Sequence, residues 1–218
     1  MKITLAALPD VLVIDNVKHG DERGYFLEWF RADRFADATG HSFGLAQANC
    51  SVSARGTMRG IHYAAVPPGQ AKFVTCMTGA ILDVAVDLRI GSPTFGGWIS
   101  ERLDSDNRRA MYLPEGVGHA FLALDDATTV VYLCSTPYTP EREFEINPLD
   151  PAVGIEWPAD VAIQLSAKDA AAPTLAEAAA AGSLPTFQAC QHHLTDLKQS
   201  TGATGVLARE SRYSDRVG

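Results

Sequence analysis

The chain has 218 residues, 46% of them hydrophobic and 20% charged, with a formal net charge of −8. That length suffices for one sizeable core, and the acidic balance argues against a nucleic-acid binder, whose affinity rests on a basic surface. It leaves room for a phosphate-bearing small ligand, which two or three local arginines can hold.

The opening stretch, MKITLAALPDVLVIDNVKHG, is broken by Pro9 and Asp10 and predicts no export signal. No apolar run approaches the ~18–20 residues that span a membrane. From about residue 10 to 165 the chain reads as many short strands punctuated by Gly, Pro, Asp and Asn, which predicts an all-β sandwich or barrel. Residues 31–40, RADRFADATG, interrupt with a short helix stopped by Gly40. In AQANCSVS, Gln47, Asn49 and Ser51 share one face of a strand, and Ala46, Ala48, Cys50 and Val52 the other. If the apolar set packs in a core, the polar row faces solvent; if the barrel holds a ligand, that row lines the cavity. Periodicity alone favours solvent.

The runs FVTCM and AILDVAVDL, joined by TG, predict a strand pair, and VVYLCS predicts another strand. After Trp157 the composition turns Ala-rich. A helix is expected after Pro173 until Gly182, and a second over 186–199. Residues 1–165 are therefore expected to form the barrel, 166–200 a helical segment packed on it, and 201–218 a flexible tail. Cys50, Cys76, Cys134 and Cys190 are widely spaced with no CxxC pair, so reduced thiols in a cytoplasmic protein are expected.

His62, in RGIHYAAVPPGQAK, sits in an apolar strand pattern between small residues, with cations on either side. It reads as a satisfied structural histidine, a metal ligand or a general base. The metal reading needs a close histidine pair, but the flanking positions two residues away are Gly60 and Ala64, leaving His119 as the one distant partner. The base reading needs a carboxylate to orient the ring and an acid opposite it. Asp169, Tyr132 and Lys72 fit those roles. Taken singly, however, each has an ordinary explanation: an N-cap, strand packing and a solvated lysine.

The ordered motifs RGIHYAAVPPGQAK, TGAILDVAVDLRIGSPTFGGW, LPEGVGHAFLAL, VYLCSTPYTPERE, NPLDPAVGIEWP and LSAKDAAAP resemble the dTDP-4-dehydrorhamnose 3,5-epimerase family, from about Gly20 to Thr174. The resemblance implies a cupin-type jelly roll with short C-terminal helices, acting on a dTDP-4-keto-6-deoxy sugar without metal or redox cofactor. It implies His62 as proton acceptor, Asp169 as its partner and Tyr132 as proton donor on the opposite sugar face. Lys72 and His119 would sit by the ketosugar and stabilise the enolate. Arg23 in DERGYF and Arg59 would hold the diphosphate, and Phe26 would contact the substrate. Glu28, Gln47, Asn49, Glu143 and Lys168 would complete the pocket, and Tyr138 would stack on thymine. The polar row of AQANCSVS is thereby reassigned to the cavity.

The family forms homodimers with exchanged N-terminal strands, so residues 20–30 are expected to serve the partner's site. Neither a nucleic-acid nor a membrane partner is expected. Arg59 and His62 differ in strand parity, which a bulge near Gly60 would reconcile. Leu133 stands where the family commonly has lysine, and Pro137 precedes Tyr138. Both make LCSTPYTPERE look closer to the antibiotic-deoxysugar branch and leave open whether C3, C5 or both are inverted. A cupin ketoisomerase, a metal-dependent cupin oxygenase and a non-catalytic sugar-nucleotide binder remain as alternatives.

Overall fold

The computed structural model describes the chain through Ser214, with side chains through Thr201. Its strands run β1 (Lys2–Leu5), β2 (Leu12–Asp15), β3 (His19–Asp21), β4 (Gly24–Phe26), β5 (Gln47–Ser53), β6 (Met58–Ala64) and β7 (Lys72–Thr78). They continue as β8 (Ala80–Asp87), β9 (Trp98–Asp104), β10 (Ala110–Leu113), β11 (Val117–Ala123), β12 (Thr128–Cys134) and β13 (Glu143–Glu145). The helices are α1 (Ala32–Thr39), α2 (Ala167–Ala170), α3 (Leu175–Ala180) and α4 (Phe187–Ser214).

Two antiparallel sheets face each other, ordered β1-β2-β10-β7-β12-β5 and β13-β6-β11-β8-β9, while β3 and β4 pair only with each other. This is the expected all-β sandwich, and its sheets do not close into a barrel. The inner faces meet in a core that includes Val74, Ile81, Ala85, Leu103, Met111, Phe121 and Val130. Each outer face is covered in turn. Phe35 of α1 packs with Phe43, Phe73 and Tyr112 on the first sheet. Leu175, Ala178 and Leu184 of the C-terminal segment pack with Val84, Val86 and Leu88 on the second. Burial on both faces explains why β8 reads as a near-continuous apolar run.

The expected pairing of FVTCM with AILDVAVDL does not form. β7 lies between β10 and β12, and β8 between β11 and β9, in different sheets. Gly79, at φ 72°, carries the chain across, and a Cβ there would lie 2.6 Å from Thr128 Oγ1. A tight glycine turn between two apolar runs is a hairpin signal when each strand has a free edge; here both edges of both strands are taken.

Helix α1 ends at Gly40 in the left-handed region, φ 79°, as its sequence predicts. Thr174 and Glu177 form a capping box that starts α3. Helix α4 runs past residue 199, where the sequence expectation ends it, and Thr201 Oγ1 accepts from the Ser42 N–H at 2.9 Å. The expected tail thus begins as helix to Ser214, and residues 215–218 lie outside the described residues. No described helix is long and apolar enough to cross a membrane.

Candidate active site

The sandwich opens at one end into a cavity of about 430 Å³, walled by β5, β6, β7, β12, β13 and α2. Opening the sandwich there reverses the solvent reading of β5. Gln47, Asn49 and Ser51 turn inward and are half-buried, while Ala48, Cys50 and Val52 are exposed. Gln47 Nε2 donates to Asn49 Oδ1 at 2.8 Å, and Gln47 Oε1 accepts from the Tyr138 N–H at 2.8 Å, anchoring the loop that carries the exposed Tyr138 ring.

His62 enters from β6. Its Nε2 lies 2.7 Å from Asp169 Oδ1, and its ring is partly exposed to the cavity while Asp169 is buried. With Nε2 committed to the carboxylate, Nδ1 is left free as the basic nitrogen. Asp169 is not the N-cap its local sequence suggests. Ser166 takes that position in α2: its Oγ accepts from the Asp169 N–H at 3.0 Å and donates to Asp169 Oδ2 at 2.8 Å. Both carboxylate oxygens are therefore satisfied. Burial pushes the Asp169 carboxyl up, but the hydrogen bond and charge of His62, with the Ser166 hydroxyl, outweigh it and leave it below its ordinary value.

The bulge that Arg59 requires is present. Across β11, His119 pairs with His62 and Phe121 with Arg59, so three steps on β6 match two on β11. The extra residue puts Arg59 and His62 on one face. Gly60 makes it possible, with φ 111° and a backbone so close to β11 that a Cβ would lie 2.3 Å from His119 O. Arg59 Nε reaches Ser53 Oγ at 3.3 Å and makes no ion pair among the described residues.

Lys72, 7% exposed, lines the cavity from β7 without a hydrogen-bond partner among the described residues. It is not the solvated lysine its local sequence suggests. Burial pulls its ammonium below the ordinary lysine value, against the opposing pull of Cys134 and Glu143. Tyr132 lines the same cavity from β12, and burial raises its phenol, so it holds its proton at neutral pH. Glu143 accepts from Gln70 Nε2 at 3.3 Å, and Lys168 pairs with Glu145 at 3.1 Å.

The other expected site residues stand apart. His119 is buried next to His62 across the sheet, with Nε2 2.7 Å from Asp83 Oδ1, and is absent from the cavity lining. Arg23, Phe26 and Glu28 lie outside the cavity as well. Arg23 pairs with Asp21, and Phe26 is 67% exposed. Leu133 faces away from Tyr132 and packs with Phe73 and Phe43 on the outer side of the sheet. Sequence reasoning passed over Gln70, Glu145, Ser166 and Asp83. Of these only Ser166 carried a local signal, the S-x-x-D spacing of a capped helix. Among the described residues no group of three or more His, Cys, Asp or Glu side chains is arranged to hold a metal ion.

Solved structures share this whole architecture. The rmlC epimerase of Mycobacterium tuberculosis superposes with a TM-score of 0.89 at 45% identity, covering 90% of this chain and 100% of that one. ChmJ, a 3'-monoepimerase from Streptomyces bikiniensis in complex with dTDP-quinovose, gives 0.87 at 49% identity, covering 89% and 98%. These likenesses fix the class as a cupin-type epimerase. The chain belongs to the dTDP-4-dehydrorhamnose 3,5-epimerase family, whose model matches residues 6–177. A dTDP-4-dehydrorhamnose 3,5-epimerase of Mycolicibacterium smegmatis is 55% identical over 187 residues, 86% of this chain and 92% of the relative.

Proposed function

We propose that this chain binds a dTDP-4-keto-6-deoxyhexose in the cavity and inverts C3, C5 or both, in the making of deoxysugars. The observation that carries the reading is the His62–Asp169 pair, held at 2.7 Å with the other imidazole nitrogen free, in a cavity also lined by Tyr132 and Lys72. The C4 ketone acidifies the protons on C3 and C5, because loss of either gives a delocalised enolate. His62 Nδ1 takes such a proton, and Asp169 holds the tautomer and stabilises the imidazolium. The unpartnered Lys72 ammonium meets the charge growing on O4. Tyr132 returns a proton to the opposite face, which inverts the centre. Arg59 suits the diphosphate, since guanidinium binds paired phosphate oxygens bidentately.

Proton NMR of dTDP-4-keto-6-deoxyglucose with the enzyme in deuterated water tests this. Deuterium at C3 and C5 identifies a two-carbon epimerase, and deuterium at one carbon a single-site enzyme. A carbonyl moved to C3 points to a ketoisomerase instead. No exchange, with the sugar bound unchanged, removes the catalytic reading.

The same proposal includes a homodimer in which the β3–β4 hairpin serves the partner's cavity. The hairpin residues are exposed, and its two strands pair with no other strand among the described residues. β5 is a free sheet edge whose outward residues include Val52, 62% exposed. Mixing Arg23→Ala with His62→Ala chains is expected to restore activity through one intact site per mixed dimer. No recovery would count against action across the dimer.

A further inference from the structure

Lys72 is the first residue of β7, with Cys134 on β12 and Leu113 on β10 as its register partners. Before it, residues 69–71 stay joined to Ser135 and Thr136, but largely through side chains. The Ser135 N–H donates to Ala71 O at 3.0 Å, as the antiparallel ladder requires. The return bond does not reach a carbonyl: the Ala71 N–H donates to the Ser135 hydroxyl at 2.8 Å. Thr136 Oγ1 donates to Gly69 O at 2.8 Å, and Gln70 Nε2 donates to Thr136 O at 3.1 Å. Side chains thus take over the β7–β12 pairing at the position next to Lys72.

The Ser135 hydroxyl can accept from Ala71 only if its own hydrogen points elsewhere. That hydrogen goes to Glu115 Oε1 at 3.2 Å. Glu115 lies between β10 and β11 and is 6% exposed. Gly69 rests on its stem, so closely that a Cβ there would lie 2.6 Å from Glu115 Cγ. Ala71 is buried, so its N–H has no solvent alternative to the Ser135 oxygen.

These groups stand behind the sheet rather than in the catalytic cavity. Ala71, Phe73 and Leu133 belong to the outer-face cluster, whereas Val74 packs in the core between the sheets and Lys72 shares its parity. A second cavity of about 210 Å³ lies on that outer side, lined by Ala71, Tyr112, Glu115 and Ser135 and closed by His193 and Leu197 of α4. His193 Nε2 stands 3.8 Å from Glu115 Oε1. Helix α4 lies beyond residue 177, where the family match ends. It shelters Glu115 from water, and a hydrogen bond in a sheltered place is electrostatically stronger than one in water.

The geometry points to Ser135 and Glu115 as positioning residues that hold Lys72 from behind its sheet. Glu115 directs the hydroxyl, the hydroxyl holds the Ala71 amide, and Ala71 precedes the lysine. Resting on the function proposed above, this support sets where the Lys72 ammonium meets O4. The ammonium has no hydrogen-bond partner of its own among the described residues, so its place depends on the backbone that carries it. Misplacing such a group by about 1 Å can cost up to about 10²-fold in rate.

Two measurements test this. The first needs no substrate: amide hydrogen exchange by NMR in the wild type, Ser135→Ala and Ser135→Thr. The Ala71 amide is expected to be protected in the wild type and in Ser135→Thr, whose extra methyl the second cavity can hold. In Ser135→Ala it should exchange at least about 10-fold faster, with the Val74 and Thr75 amides unchanged. Equal Ala71 protection in the wild type and Ser135→Ala overturns the inference, whatever the reaction proves to be. Faster exchange throughout β7 would reduce Ser135 to general stability and overturn it too. The second measurement is turnover. Ser135→Ala is expected to lower kcat by about 10-fold with KM little changed, and Ser135→Thr to restore it. Glu115→Leu keeps a stem beneath Gly69 but accepts no hydrogen bond, so it should slow the enzyme similarly. Glu115→Gln still accepts and should retain most of the rate. Wild-type kcat in both Ser135→Ala and Glu115→Leu would overturn the link to Lys72, and equal loss in Glu115→Gln and Glu115→Leu would overturn the orienting role of Glu115. Failure of the wild type to turn over the sugar would count against the proposed function and leave the Ala71 result standing.

Discussion

The two imidazole–carboxylate pairs sit side by side on one sheet and share the same Nε2–oxygen distance of 2.7 Å. They differ in what stands behind the carboxylate. Asp169 comes from the four-residue helix α2, outside the sandwich, where the Ser166 hydroxyl and the His62 ring use both of its oxygens. Asp83 comes from β8 in the middle of the second sheet, with no exposure and one idle oxygen. One carboxyl is held below its ordinary value and the other above it. The contact between ring and carboxylate therefore does not define the duty of the ring. The second oxygen and the depth of burial set the direction in which each carboxyl is pushed.

The largest effect should follow from removing the base itself. His62→Asn keeps polar bulk but has no nitrogen able to take a carbon-bound proton, so turnover should fall by at least about 10³-fold. Deuterium incorporation measured on the variant checks the assignment, because exchange at near wild-type rate would make His62 the ordinary core histidine of its local sequence. His119→Asn should cost less, since a residue that supports the enolate takes no proton from carbon. If the two variants lose activity equally at every pH, the distinction between the pairs collapses.

How much of this was legible in the sequence follows from the range of each interaction. The Gly40 stop and the strand alternation are local, and they read correctly. Gly79 looked like a hairpin turn because its signal is local, whereas the choice of sheet depends on which edges are already occupied by β10, β12, β11 and β9. The direction of β5 was undecidable from parity, because an inward polar row is acceptable only where the sandwich is open. Family resemblance, not periodicity, gathered His62, Tyr132, Lys72 and Asp169. Ser166 was missed although its spacing to Asp169 is a capping signal. Asp83 stands in an apolar strand run that carries no local hint of its partner 36 positions away.

Ser166→Ala is a smaller and more selective test of the comparison. It frees Asp169 Oδ2, which makes the first pair resemble the second. Loss of a residue that orients a catalytic group typically costs about 10-fold in activity, so kcat should drop by about that factor with KM nearly unchanged. Ser166→Thr should restore most of it, because Thr supplies the same hydroxyl and also caps helices. The pH profile of kcat/KM carries the diagnostic readout. A variant with the wild-type profile and only a lowered melting temperature would reduce Ser166 to a helix cap.

The smallest expected effect is on stability, and its sign separates the two carboxylates. Asp169 has a folded value below the unfolded carboxyl value of about 3.9. The unfolded chain then binds more protons, so this group's contribution is present above that pH and is lost as pH falls through the folded value. Asp83 has a folded value above the unfolded one, so the native state binds more protons and wild-type stability declines as pH rises through the window between them. Relative to wild type, Asp169→Asn should be destabilised at neutral pH by about 1.5–3 kcal/mol, the range for a hydrogen bond to a charged group, and the deficit should close on acidification. The deficit of Asp83→Asn should run the other way, widest in acid and narrowing as pH rises. Urea unfolding from acid to neutral pH measures both slopes. Slopes of the same sign would mean that the idle oxygen of Asp83 is solvated after all, and the two pairs would then be equivalent in charge as well as in distance.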